Sequence, residues 1–218
     1  MKKDMIPVGP REYPGRRRSL SFARDQAGVS AIEFALVVPV MLLIFVGMAE
    51  LVRALDNWRK VSVATRAISD LTSQGDSQNP VRSDLMNDIL ASARPILRPF
   101  DGRTAKIVVS AMGVSLINPA LPPQVCSSVA SGNATARGRG LALDLTVPTG
   151  MGLPGMRYIL VEVTMPYTPM LGSAIIDLFG KNGGQVMLSA SMPWPVRKGD
   201  TFAPSVYPEI ILPNGVRC

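Results

Sequence analysis

The chain contains no histidine. That excludes a Ser-His-Asp triad, imidazole metal ligands and a histidine general base together. Only two cysteines occur, Cys126 and Cys218, too few for a zinc site of paired Cys-x-x-Cys ligands. Acids are the minority charge, 16 against 23 lysines and arginines. Asp144, Glu162 and Asp177 are scattered with no paired spacing, so no active site is expected on them, and the chain does not read as an enzyme. No cofactor or metal is expected either. The glycine-rich Arg137-Gly138-Arg139-Gly140 lacks a following Lys-Ser/Thr and reads as a loop, not a phosphate cradle.

What the chain does have is one long apolar run. From Phe34 to Ala49 every residue is apolar, small or proline, and extended back to Val29 the run is 21 residues with Glu33 as its only charge. About 20 such residues cross a hydrocarbon core of about 30 Å as a helix. A carboxylate inside that span is disfavoured by roughly 2–3 kcal/mol at the centre, less near an end. Glu33 is therefore either the interfacial edge of a signal anchor or a carboxylate kept for function. The run is too long for the core of an ordinary secretory signal, and no small-x-small site ends it.

Residues 1–28 hold seven basic side chains and three acids, +4 of the net +7. This arm, with Arg16-Arg17-Arg18, belongs in the cytoplasm by the positive-inside rule, which places the C-terminal part outside it. No aromatic interleaving accompanies the arginines, so no nucleic-acid partner is expected. The localisation read from this is an inner membrane, crossed once, with a periplasmic C-terminal domain.

Beyond the membrane the helical pattern continues. Leu51, Leu55, Trp58, Ser62, Thr65, Ile68 and Thr72 keep a 3–4 spacing with Val61 and Leu71 alongside, and neither proline nor glycine interrupts Met48 to Gln74. Gly75 is the expected stop. A helix from Ser30 to Gln74 would be about 67 Å long at 1.5 Å per residue, with Pro39 expected to kink it. The stripe is expected to pack on a sheet, a subunit interface being the alternative. A second helix is expected over Pro80–Arg94, capped by Asn79 and ended by Pro95. Strands are expected at Lys106–Met112, Leu141–Val147, Arg157–Met165 and Gln185–Met192, with loops at 117–140 and 148–156 and a short helix at Ile175–Phe179. Trp194, between Pro193 and Pro195, reads as a packed turn residue. The fold class is α+β: a long N-terminal transmembrane, pilin-like helix and then a small, mostly antiparallel sheet. The divisions are a basic leader (1–28), a transmembrane and amphipathic helix (29–74) and a periplasmic α+β domain (75–218).

A basic leader, then Gly28, then Glu33 five residues on, then an unbroken apolar helix resembles the type IV pilin signature. The text GVSAIEFALVVPVMLLIFVGMAEL, followed by Arg53 and Ala64-Thr65-Arg66-Ala67, resembles more specifically the TadE-like pseudopilins of the Tad (Flp pilus) machinery. The resemblance implies a structural role in a Tad pilus or related secretion apparatus. It also implies cleavage between Gly28 and Val29 by a prepilin peptidase and an assembly role for Glu33. The partners implied are that peptidase, the inner-membrane platform, other pilins or pseudopilins and the lipid bilayer, with a surface filament as a further destination. Phe34 departs from the tyrosine common after this glutamate, and no Asp-x-Ser-x-Ser metal site of the larger TadG type is present.

Cys126 and Cys218 are expected to form a disulfide, because the topology puts them in an oxidising compartment; two free thiols are the alternative. The competing functional reading is an uncleaved, signal-anchored periplasmic protein that binds an envelope partner or ligand. Gly28 and Glu33 separate the two, since neither is needed in an anchor.

Overall fold

The computed structural model describes residues 9, 26–75, 79–169 and 185–218. Arg16–Arg18, Ile175–Phe179 and Asp177 lie outside these. The fold is α+β, and the chain divides into two compact units, Met1–Gly47 and Met48–Cys218.

Helix α1 spans Gln26–Ser73 and includes Pro39. It ends where Gly75 takes φ +66° and its N–H bonds the Thr72 carbonyl at 3.1 Å, a left-handed stop that glycine adopts without a Cβ clash. Among the described residues of the first unit the helix is the one element present. Its side chains from Val29 to Gly47 are exposed, apart from half-buried Val38 and Val46.

In the second unit the rest of α1 lies against a five-stranded antiparallel sheet of order β3-β2-β1-β4-β5. The strands are β1 (Lys106–Gly113), β2 (Gln124–Ala130), β3 (Gly140–Leu141), β4 (Arg157–Tyr167) and β5 (Val186–Pro195). The alternation in β4 is clean. Ile159, Val161, Val163 and Met165 join Ile107, Val109 and Ala111 of β1 in the main core, with Val61, Ala64 and Ile68 of α1. Two short helices, α2 (Ser83–Ala91) and α3 (Ala93–Leu97), add Met86, Ile89, Leu90 and Leu97 to the same core. Tyr158, Leu160 and Met112 turn to the opposite face, where Val125 and Ala142 pack on them. A two-stranded ribbon, β6 (Asp200–Thr201) with β7 (Pro208–Glu209), leads into Ile210 and Leu212, both core residues.

Several local expectations shift. The stripe buried on α1 is Asn57, Val61, Ala64, Thr65, Ile68, Ser69 and Thr72, whereas Leu51, Leu55 and Trp58 are exposed. Spacing marks two apolar faces on this helix and cannot say which one the sheet covers. The covered face is the one with small residues, which let helix and sheet approach. Two of its hydroxyls bond back into the helix, Thr65 to the Val61 carbonyl (2.7 Å) and Ser69 to that of Thr65 (2.9 Å), so these two are buried with their donors paired.

Pro95 does not end the second helix but sits in the first turn of α3, where a missing N–H costs nothing. Asn79 caps no helix. It clamps the β7 segment, donating to the Glu209 carbonyl (3.1 Å) and accepting from the Ile211 N–H (2.9 Å). Strand β2 falls within what reads as loop, and of the strand expected at Leu141–Val147 only Leu141 is in a strand, the two-residue β3 (Gly140–Leu141). Trp194 lies inside β5 rather than in a turn. That strand is at the sheet edge, the one place where Pro193 and Pro195 remove no needed ladder bond.

Candidate assembly helix and the cysteine-tied terminus

The helix of the first unit begins at Gln26, so Gly28 and Val29 are its first-turn residues and Glu33 follows one turn later. Glu33 is exposed, as are Val29, Ile32, Phe34, Leu36 and Val37 around it. An apolar helix that no described residue of its unit covers suits a membrane span or a packing surface for other helices, because water does not support it. By length and composition, Val29–Ser73 includes a stretch able to cross a membrane, which is what a single-pass anchor requires.

In the second unit α1 is tied to the sheet and to neighbouring loops by polar contacts that its sequence does not announce. The Tyr167 hydroxyl donates to the Glu50 carboxylate at 3.1 Å. Burial, and next that neighbouring carboxylate, push the Tyr167 phenol above its ordinary range. Lys60 pairs with Asp56 at 3.0 Å, donates to the Arg98 carbonyl at 2.7 Å and lies 5.4 Å over the Phe100 ring. At the helix end Arg197 pairs with Asp70 at 2.9 Å, and its N–H bonds the Ser73 carbonyl.

Cys126 of β2 is bonded to Cys218, the last residue. The bond sits against the backbone of Gly113, where an added Cβ would meet the Cys218 sulfur and lie 2.7 Å from Arg157 Nη1. Glycine is required there by close approach. Beside the disulfide lies a buried ion pair, Arg157 Nε to Glu209 Oε2 at 3.3 Å, with side chains 11% and 5% exposed. The other Glu209 oxygen accepts the Cys218 N–H at 2.6 Å. One carboxylate thus anchors both the β4 arginine and the chain terminus. Sequence reading overlooks Arg157 and Glu209, because 52 positions separate them and neither lies in a motif.

The acids read as scattered do not all remain so. Arg137 bonds Glu162 through Nε (2.6 Å) and Nη2 (2.7 Å), and Asp144 through Nη1 (2.8 Å). The guanidinium holds the Asp144 carboxyl below its usual range, and Glu162 raises the Arg137 pKa. This cluster staples the 137–144 return chain to the outer face of β4. Among the described residues no group of three or more His, Cys, Asp or Glu side chains converges as a metal site.

No curated protein and no solved structure matches the chain. The model of the TadE-like protein family matches residues 28–70, the stretch that holds Gly28, Val29 and Glu33, and over that stretch the chain is similar to that family.

Proposed function

We propose that this chain is a membrane-anchored, pilin-like component of a Tad pilus assembly or secretion apparatus, cut by a prepilin peptidase between Gly28 and Val29. The observation that carries the reading is the TadE-like match, which starts at Gly28 and includes Glu33 within an apolar helix that no described residue of its own unit covers. A family of this kind is structural rather than catalytic.

The chemistry is consistent with such a role. Gly28 has no side chain, so its backbone fits an extended protease cleft. Cleavage removes the basic arm and leaves an α-ammonium on Val29. In the low dielectric of the bilayer, that ammonium and the Glu33 carboxylate of a neighbouring subunit offset much of each other's burial cost and set the axial register between helices. The second unit then stands in the periplasm. Its partners are the peptidase, the inner-membrane platform and other pilins.

The test is the amino-terminal residue of the mature protein in its native cells, read by mass spectrometry with and without the peptidase. A start at Val29 that needs the peptidase, and is lost in Gly28→Leu, is the expected result. An intact N-terminus beside an active peptidase would overturn the proposal in favour of an uncleaved anchor. Glu33→Ala is expected to leave cleavage in place while reducing incorporation into assemblies with other pilins.

A further inference from the structure

The outer edge of β2 is only partly paired. β3 covers it at Gln124 and Val125 alone. Further along, the Ser131 N–H donates to the Ile107 carbonyl of β1 at 2.9 Å, which fixes the alternation: Val129 faces β1, while the main-chain groups of Ser128 and Ala130 face outward. The returning chain does not pair with them. Its contact there is the Arg137 N–H to the Ser128 hydroxyl, 3.1 Å, a side-chain bond. The gap between return chain and strand is a cleft of about 620 Å³, bounded by β2, by α2 and by the C-terminal tail at 213–216. That volume is in the range of sites that hold a ligand. A second cavity of about 510 Å³ continues along Ala130 and Ser131, with Asn87 of α2 lining both.

The charge of the first cleft has one sign. Arg137 and Arg139 line it and no carboxylate does. Glu162 and Asp144 answer Arg137. Arg139 is exposed and donates to a neutral acceptor, the Arg217 carbonyl, at 3.2 Å. Among the described residues it has no carboxylate partner.

We propose that this cleft is a strand-addition groove for an extended, acidic peptide segment of a partner protein, which pairs with the outer edge of β2 at Ser128 and Ala130 and sets a carboxylate on Arg139. Main-chain bonds to an open sheet edge supply affinity, and the charge contact selects the sequence. Arginine suits the second task, because its planar fork accepts a carboxylate in two bonds.

The test uses the full chain in lipid nanodiscs and a panel of fluorescein-labelled hexapeptides of alternating valine and threonine with one central glutamate, the flanking side chains varied. Fluorescence anisotropy is expected to show saturable binding by members of the panel. Replacing the peptide glutamate with lysine, or Arg139→Gln in the protein, should weaken it by about tenfold or more, and Arg139→Lys should recover part of the loss. Alternate N-methylation of the peptide backbone, which removes its strand-pairing donors, should abolish binding. Unchanged thermal unfolding of the Arg139 variants would exclude a folding effect. The proposal fails if no peptide saturates by about 1 mM, if N-methylation has no effect, or if free glutamate competes as well as the peptides, which would mark a small-anion site instead.

Discussion

At the scale of single residues, the second unit holds groups that are charged or polar and yet out of water. Arg157 and Glu209 are the clearest case. Glu209→Gln leaves the arginine buried without its counter-charge, and breaking such a pair by one partner costs about 3–5 kcal/mol. Denaturant unfolding should show this loss, and Arg157→Met combined with Glu209→Gln should recover part of it, because no lone charge remains. Tyr158 makes a different prediction. It is 1% exposed, and burial pushes its phenol from 10.0 up to about 12. The folded state therefore keeps a proton that the unfolded chain releases first. Stability is fully present below pH 10 and falls as pH rises from about 10 to about 12. Unfolding midpoints across that window should fall, and Tyr158→Phe should flatten the fall.

At the scale of elements, α1 carries two apolar faces with different work to do. Ile68 is 0% exposed and packs between sheet strands and helices. Ile68→Ala should cost about 2–5 kcal/mol through lost burial and a cavity. Leu55, on the uncovered face, should change stability by no more than about 0.5 kcal/mol when cut to alanine. Comparing denaturation midpoints of the two variants separates packing within the unit from surface left open to lipid or to another subunit. The 3–4 spacing is enough to foresee the helix and its Gly75 stop. It cannot rank the faces, because that depends on where the strands lie. Strand β2 escapes sequence reading for a related reason. Its Ser127 and Ser128 look like loop residues in isolation, but Ser128 bonds Ser110 across the ladder at 2.9 Å and Ser127 holds the Leu212 N–H at 3.1 Å. Those partners lie 18 and 85 positions away.

At the scale of the whole molecule, the disulfide closes a loop across 92 positions and fastens the terminal residue beside β1. In the chain-entropy account, constraining so long a loop stabilises by about 4–5 kcal/mol, with 2–4 more usual in practice. Replacing both cysteines by serine should lower stability by about 2–4 kcal/mol. It should also loosen residues 213–218, which the bond holds beside β1. Limited proteolysis followed by mass spectrometry of the C-terminus reads the second effect directly.

The sequence by itself determined the features set by local composition: an apolar run able to cross a membrane, a carboxylate one turn into it, a TadE-like match over residues 28–70 and the alternation of β4. Periodicity and hydropathy are properties of neighbouring residues, so they survive without a fold. Only the tertiary structure decided which side of α1 is covered, that Arg137 gathers Glu162 and Asp144, that Glu209 holds both Arg157 and the chain terminus, and that the β2 edge stays open. Each of these is a contact between segments far apart in the chain. Charge pairing and close packing select such contacts only after the sheet has brought the segments together.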